Sequence, residues 1–271
     1  MMRNGTKGKA RTTVDGIKHA LTNDRYLYSI VLSQSEAPFG VAGVRGKPVR
    51  TMPFGLVAAL ISDLDPTDVL GTPDDRRAHT AVLDSMAQSG PVLPMAFGTV
   101  IPSDVAICTD ILEPRQDEYH EALRQLSGHG QYTLLVRFER DAVLHEILAD
   151  NPEAVWLREA IVGTSEDETR SERYQLDKII DETMQKWKSA EATSILEQLE
   201  GVATRMCLRE VREADDVLEV ALLVRDDAVT RCNSLIGALA ATGSECLRFR
   251  LVGEEAPYDF VDIGPLRAGR R

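Results

Sequence analysis

The histidines are the residues of this chain best suited to acid–base chemistry or metal binding, because imidazole does both near neutral pH. The chain has five of them, at His19, His79, His120, His129 and His145. None belongs to an H-x-x-x-H or H-E-x-x-H sequence, the spacings that place two zinc ligands on one face of a helix. The sequence therefore predicts no metal site. His79 could serve as a general base, but we interpret it as a partly buried side chain between a helix and its sheet.

The four cysteines could form disulfides, bind a metal or act as nucleophiles. They contain no C-x-x-C pair and no histidine partner at metal-ligand spacing, and they lie at Cys108, Cys207, Cys232 and Cys246. We interpret them as reduced thiols, most of them small core residues, in a cytoplasmic protein.

Sequences that bind phosphate or activate a nucleophile are also missing. Gly40, Gly43 and Gly46 have the spacing G-x-x-G-x-x-G, and strand-like residues follow where a dinucleotide site needs a helix N-terminus. We interpret them as a flexible loop. No G-x-x-x-x-G-K-[ST] or G-x-S-x-G sequence is present, and no side chain has a recognisable catalytic partner nearby. The sequence predicts that the protein is not an enzyme and has no cofactor.

Composition and charge exclude two further classes of partner. The formal net charge is −12, which disfavours nucleic acids because their affinity depends on Lys and Arg neutralising phosphates. No apolar run approaches the roughly 20 residues that a membrane-spanning helix needs. The length of 271 residues and an apolar content of 43% predict two domains.

Strand and helix patterns divide the chain into two α+β units. In the first unit, the strand-like runs "YLYSIVL", "VRTMPF" and "LVAALISDL" precede a helix over "RRAHTAVLDSMAQ". Thr72 and Pro73 suit its N-cap and first helical position. The stretch "GPVLPMAFGTV" that follows is predicted to be a buried strand and turn, with Gly98 at the bend. A further helix covers "EYHEALRQL".

The second unit begins with the strand "QYTLLVRFE" and continues with helical segments. Ser165 to Glu168 has the spacing of a capping box and predicts the start of a long helix. Two strands, "VATRMCLREV" and "VLEVALLVR", a helix after Asp226 and Asp227, and the strand "ECLRFRLVG" complete it. The order β-α-β-β-α-β predicts a split βαβ, or ferredoxin-like, arrangement with an elaborated helical crossover.

The predicted fold class is therefore α+β in two domains. The predicted boundaries are a disordered basic arm at 1–24, an N-terminal α+β sheet domain at 25–129, a C-terminal ferredoxin-like domain with a helical insertion at 130–263, and a basic tail at 264–271.

The order of these segments resembles the GvpL/GvpF family of gas vesicle proteins. The resemblance is carried by Ala78, His79, Val82 and Leu83 on the helix, by Gly90, Pro91, Val92, Leu93, Pro94, Phe97, Gly98, Thr99 and Val100 after it, and by Gly253, Pro257, Tyr258 and Phe260 near the end. Two departures stand out. Ala96 occupies a position where the family usually has arginine, so any charge contact of that arginine must be lost or supplied elsewhere. The family's C-terminal tryptophan is missing from "GEEAPYDFV".

The resemblance implies an accessory or structural protein needed for gas vesicle formation, located in the gas vesicle and cytoplasm, with no known catalytic activity. Its implied partners are the small apolar shell protein and other accessory proteins. The alternative is a small-molecule-binding regulatory protein built on ferredoxin-like sheets. A third possibility, an enzyme, would need acidic groups from distant parts of the chain to gather with His79 around one cleft. If Phe97 is a core residue, Phe97→Ala costs roughly 3 to 5 kcal/mol.

Overall fold

The strands form two antiparallel sheets, one from each half of the chain. The computed structural model describes residues 24–65, 67–242 and 245–261. The predicted basic arm, apart from Asp24, which begins the first strand, and the predicted basic tail lie outside the described residues.

In the first half, the strands are β1 (Asp24–Leu32), β2 (Arg50–Phe54), β3 (Val57–Leu64), β4 (Val92–Pro94) and β5 (Val100–Ile101), and the helices are α1 (Pro73–Ala87), α2 (Asp104–Ala106) and α3 (Gln116–Leu126). A π-helical segment, Ile107–Leu112, and a 3-10 turn, Glu113–Arg115, connect α2 to α3. In the second half, the strands are β6 (His129–Phe138), β7 (Arg205–Arg209), β8 (Asp216–Arg225) and β9 (Leu247–Glu255), and the helices are α4 (Arg140–Asp150), α5 (Pro152–Ile161), α6 (Arg170–Leu199) and α7 (Val229–Thr242).

The two sheets have the same strand order. The first is β2-β3-β1-β4, with β5 also paired to β1, and the second is β7-β8-β6-β9. In each sheet a helix, α1 or α7, connects the third strand in sequence to the fourth. The first connection differs, because α4, α5 and α6 join β6 to β7, whereas a loop containing the 3-10 turn Val44–Gly46 joins β1 to β2.

That loop is anchored to the core. Val44 is fully buried, and its backbone N–H donates to the Tyr28 hydroxyl at 2.7 Å. The glycines of "GVAGVRG", interpreted from the sequence as a flexible loop, therefore flank a buried point of attachment.

Both faces of each sheet are covered. Along β8, Leu222 and Val224 point to a core formed with the helices of the second half, whereas Ala221 and Leu223 point to a core shared with the first sheet and α3. In β3, Leu60 faces α1 and Ile61 faces the shared core. Such alternation follows from the two-residue period of strands. The shared core therefore joins the two halves.

One predicted helix start is wrong. The Ser165 hydroxyl does bond to the Glu168 carboxylate at 2.7 Å, but α6 begins only at Arg170, and its N-cap residue Thr169 makes no side-chain capping bond. The Ser165–Glu168 pair closes a turn ahead of the helix. Within the residues the structure describes, no helix is both long enough and apolar enough to span a bilayer.

Candidate functional site

His79 lies on α1 and faces the first sheet. The local sequence sets the helix start: the Thr72 side chain accepts from the Asp75 backbone N–H, the Asp75 carboxylate accepts from the Thr72 N–H, and Pro73 follows the cap. His79 is then placed in the second turn with only 2% of its surface exposed. The predicted position between helix and sheet is confirmed, with fuller burial than expected.

Both ring nitrogens of His79 have tyrosine partners. The Tyr26 hydroxyl lies 2.9 Å from Nδ1, and the Tyr258 hydroxyl lies 2.9 Å from Nε2. The Tyr258 hydroxyl donates to the Met95 carbonyl at 3.3 Å, so Nε2–H donates to Tyr258. The Tyr26 oxygen accepts from the Gly98 N–H at 3.0 Å, so its proton goes to Nδ1. Neutral His79 with hydrogen on Nε2 satisfies every group in this chain of bonds.

Burial keeps the imidazole neutral. It lowers the pKa of His79 to about 4, and it raises the pKa values of the Tyr26 and Tyr258 hydroxyls above their ordinary value of 10.0. At neutral pH all three groups are therefore uncharged. The cluster therefore suits a structural junction better than general acid–base catalysis, which needs a pKa near the working pH.

Aromatic rings complete the surroundings of His79. Tyr28 stacks on the imidazole at a centroid distance of 5.8 Å, and Phe97 meets it edge-on at 5.7 Å. The strand β1 thus contributes two tyrosines, Tyr26 and Tyr28, to the face of the first sheet that packs against α1. Neither was proposed as a site residue from the sequence, although tyrosines two positions apart in an otherwise aliphatic strand were a usable signal.

The stretch Gly90–Val100 contains the motif residues that follow α1, and they form β4 and the turn after it. Pro91 precedes β4 and Pro94 ends it, as predicted, and the short strand is buried against β1. Gly98 has φ +88° at the bend, a backbone conformation that favours glycine. The Thr99 hydroxyl closes the turn by donating to the Ala96 carbonyl at 2.7 Å.

Phe97 is not a fully buried core residue. It is half-buried at the edge of the cluster, and the Arg76 guanidinium lies 4.6 Å from its ring centroid. Arg76 therefore places a positive charge beside Phe97, next to Ala96, the position where the resemblance implies an arginine. The predicted cost of 3 to 5 kcal/mol for Phe97→Ala assumed full burial, which the structure does not show.

The segment Ala256–Phe260, which we call the C-terminal strap, contacts both halves of the chain. On the first half, the Ala256 N–H donates to the Asp84 carboxylate at 3.1 Å, and Tyr258 reaches His79. On the second half, the Asp259 carboxylate bonds to Arg209 at 2.5 Å and to Gln131 at 3.0 Å.

Among the residues singled out in the sequence, the structure thus brings together four: His79, Phe97, Gly98 and Tyr258. Pro257 is buried in the strap, and Phe260 enters the core between the sheets instead. Gly90, Pro91, Pro94 and Thr99 shape the backbone around β4. Asp84 and Asp259, which hold the strap, gave no recognisable sequence signal because their partners are distant in the chain.

The other candidate groups remain dispersed. In the described part of the chain, no three His, Cys, Asp or Glu side chains come close enough to hold a metal ion. Cys232 and Cys246 are buried, but Cys108 and Cys207 are only partly buried. The expectation that most cysteines are core residues therefore holds for two of the four.

Comparison with known proteins gives the family. The profile described as gas vesicle synthesis protein GvpL/GvpF matches residues 24–262, which is most of the chain. The chain belongs to the GvpL/GvpF family. This family is not known for enzymatic activity, and its accessory role in gas vesicle formation agrees with the expectation from the resemblance.

Individual GvpL/GvpF members are similar over nearly their whole length. Gas vesicle protein F of Streptomyces sp. strain CB03234 is 30% identical over 88% of this chain and 99% of its own. Gas vesicle protein L1 of Halobacterium salinarum is 24% identical over 91% of this chain and 94% of its own.

Solved GvpF structures have the same fold. The crystal structure of GvpF from Anabaena sp. PCC7120 matches with a TM-score of 0.75 at 18% identity, over 89% of this chain and 99% of that one. GvpF from Microcystis aeruginosa matches with a TM-score of 0.68 at 20% identity, over 89% of this chain and 100% of that one. Both comparisons support a mixed α+β fold with two antiparallel sheets for this GvpL/GvpF protein.

Proposed function

We propose that this protein is an accessory or structural component needed for gas vesicle formation, and that it binds the small apolar shell protein during nucleation or assembly. The observation that carries the proposal is the match to the GvpL/GvpF family over residues 24–262. We place it in the gas vesicle and the cytoplasm, with the shell protein and other gas vesicle accessory proteins as partners and with neither nucleic acid nor membrane among them.

The physical rationale is protection of apolar surface. Shell subunits expose apolar faces before they polymerise, and a partner that covers them limits aggregation. The net charge of −12 keeps such a complex soluble. Because the faces of both sheets are already covered, we assign the contact to exposed apolar side chains; those most exposed are Phe39, Val69, Val105, Trp156, Val162, Tyr174 and Leu208.

We also propose that 25–129 and 130–263 are two domains, the second of them ferredoxin-like. The strand order β7-β8-β6-β9, antiparallel throughout, supports this description because it corresponds to a split βαβ sheet with two crossovers on one side. The core shared by the two sheets supports a close association of these domains.

Co-purification with the shell protein tests the binding. The wild type and three single variants, Phe39→Ser, Trp156→Ser and Leu208→Ser, are expressed with the shell protein, and the bound shell protein is measured. We expect the wild type to retain it and at least one variant to lose most of it. The three side chains are exposed, so each variant folds like the wild type and the unaffected ones serve as controls for the affected one. If the wild type retains no shell protein, the binding proposal is wrong.

Gene deletion in a vesicle-forming host tests the wider role. We expect the deletion strain to form no vesicles or deformed ones, and the intact gene to restore them. Normal vesicles in the deletion strain would contradict a requirement for this protein.

A further inference from the structure

A cavity of about 310 Å³ lies between the two sheets, where α3, β4, β8 and the C-terminal strap meet. Its apolar wall comes from both halves of the chain and is formed by Leu93, Leu126, Leu223 and Phe260, none of them more than 7% exposed. Junctions between packed units are common places for small-molecule sites, which combine apolar walls with a few polar groups.

Four polar side chains line this cavity, and because three are exposed and the fourth, His129, is partly exposed, we place them at its mouth. They are Gln125, His129, Thr204 and Arg205. The His129 Nδ1–H donates to the Ser127 carbonyl at 3.1 Å, which leaves Nε2 as the second polar atom of that ring. The mouth therefore combines an amide, a hydroxyl, an imidazole and a guanidinium.

Arg205 is held in place by Phe260 rather than by a carboxylate of the described residues. Its guanidinium lies 5.3 Å from the centroid of the Phe260 ring, and its Nη1 donates to the Phe260 carbonyl at 3.4 Å. No Asp or Glu of the described residues is within ion-pair distance of it. A guanidinium has five N–H donors in a fork that matches a carboxylate, so Arg205 retains donors for an anion.

The groove beside α6 provides a contrast. Its cations are occupied, because Arg140 pairs with the Asp215 carboxylate at 3.0 Å and Lys188 bonds to the Ala214 carbonyl. A cation that lines an apolar cavity and pairs with no carboxylate of the described residues distinguishes the cavity between the sheets.

We propose that this cavity binds a small carboxylate with an apolar body, its acyl or aryl part against Leu93, Leu223 and Phe260 and its carboxylate on Arg205. At roughly 30 Å³ per water-sized group, the cavity takes a body of about ten non-hydrogen atoms. This site is independent of the gas vesicle role, and it needs no contact with the shell protein.

Calorimetric titration of the full-length protein with octanoate tests the site. We expect saturable binding with one site per chain and a dissociation constant of about 0.1 to 1 mM, the range for a ligand of this size. Octanol, which has the same apolar body without the charge, and acetate, which has the charge without the body, are expected to bind at least about tenfold more weakly.

Two variants and one control connect the binding to these residues. Arg205→Gln removes the charge at an exposed position and is expected to weaken octanoate binding at least about tenfold. Ala122 lies on α3 and lines the cavity, so Ala122→Phe places a ring in it and is expected to abolish binding. Arg158→Gln removes an exposed arginine on α5 and is expected to bind octanoate like the wild type.

Thermal unfolding without ligand checks that Arg205→Gln is folded, and because that residue is exposed, its result holds even if Ala122→Phe fails to fold. Absence of saturable octanoate binding, equal affinity for octanol, or wild-type affinity in Arg205→Gln would each overturn the proposal.

Discussion

His79 holds three parts of the chain together through neutral hydrogen bonds. Its Nδ1 accepts from Tyr26 on β1, and its Nε2–H donates to Tyr258 in the C-terminal strap. Protonation would place a hydrogen on Nδ1 opposite the Tyr26 hydroxyl, whose oxygen already accepts from the Gly98 N–H. The Tyr26 proton would then lose its acceptor. The network therefore reinforces the effect of burial in favouring the neutral ring.

This arrangement predicts a pH dependence of stability. The pKa of His79 is lowered from 6.5 to about 4 in the folded protein, so between these values the unfolded chain binds a proton that the folded protein does not. The contribution of His79 to the free energy of unfolding is therefore complete above pH 6.5. It is lost as the pH drops toward 4, by up to about 3 kcal/mol.

Urea unfolding of the wild type and of His79→Gln across pH 4 to 7 measures this effect. Carboxylates titrate in both proteins, so the difference between the two curves isolates His79. We expect the stability advantage of the wild type over His79→Gln to shrink as the pH falls. A difference that stays constant with pH would contradict the assignment of a neutral, buried imidazole.

Phe97 and Arg76 form the second test at this scale. Because Phe97 is half-buried, Phe97→Ala is expected to lower the free energy of unfolding by about 2 kcal/mol, below the range for a fully buried phenylalanine. Arg76→Ala is expected to lower it by about 0.5 to 1 kcal/mol, the size of a partly exposed cation–π contact. A loss above about 4 kcal/mol for Phe97→Ala would restore the core interpretation. Denaturant unfolding of each variant provides the values.

At the scale of elements, the two predicted capping sequences behave differently. Thr72 and Asp75 make reciprocal bonds at the start of α1. Ser165 and Glu168 bond to each other, yet the helix begins only at Arg170. The same side-chain spacing thus starts a helix in one place and closes a free-standing turn in the other.

This difference predicts unequal effects of two matched substitutions. Thr72→Ala removes a helix cap and is expected to cost about 1 kcal/mol of stability. Ser165→Ala removes an exposed bond outside any helix and is expected to cost less than about 0.5 kcal/mol. Denaturant unfolding compares them under the same conditions, and equal losses would show that Ser165 also caps a helix.

These elements show how far the sequence predicts the fold. The start of α1 was predictable because Thr72 and Pro73 are local signals, and the element order of the second half follows from strand and helix periodicity. The length of β4 was not, since Phe97 looks strand-like but lies beyond the strand and contacts His79 edge-on. The start of α6 was missed because a side-chain bond does not by itself require helical backbone.

The site itself was only partly predictable. His79 and Tyr258 were named as motif positions through the family resemblance, but their contact joins residues 179 positions apart. No local pattern encodes such a pair. The ion pair between Arg209 and the buried Asp259 carboxylate also joins residues far apart in the chain. In the sequence, Asp259 stands out only as part of the C-terminal segment.

At the scale of the whole molecule, two sheets of the same strand order share one core. Leu27 and Ile61 of the first sheet and Leu223 of the second belong to the same buried cluster, and the strap bonds to both halves. Separating them would expose apolar surface on both sheets at once. We therefore expect the two halves to unfold together.

Comparing the unfolding transitions reported by two optical signals tests this expectation. Both tryptophans, Trp156 and Trp187, lie in the second half, so tryptophan fluorescence reports that half, whereas far-ultraviolet circular dichroism reports both. We expect the same denaturation midpoint from the two signals. Distinct midpoints would mean that the halves unfold as independent domains.

The strap also sets an order of events during synthesis. A ribosome that has completed His79 must add 179 more residues before Tyr258 exists, which takes about 10 to 35 s at ordinary elongation rates. Throughout that interval His79 lacks the Tyr258 hydroxyl that its Nε2–H contacts in the complete chain. The first half of the nascent chain therefore reaches its final state only after almost all of the second half has been translated.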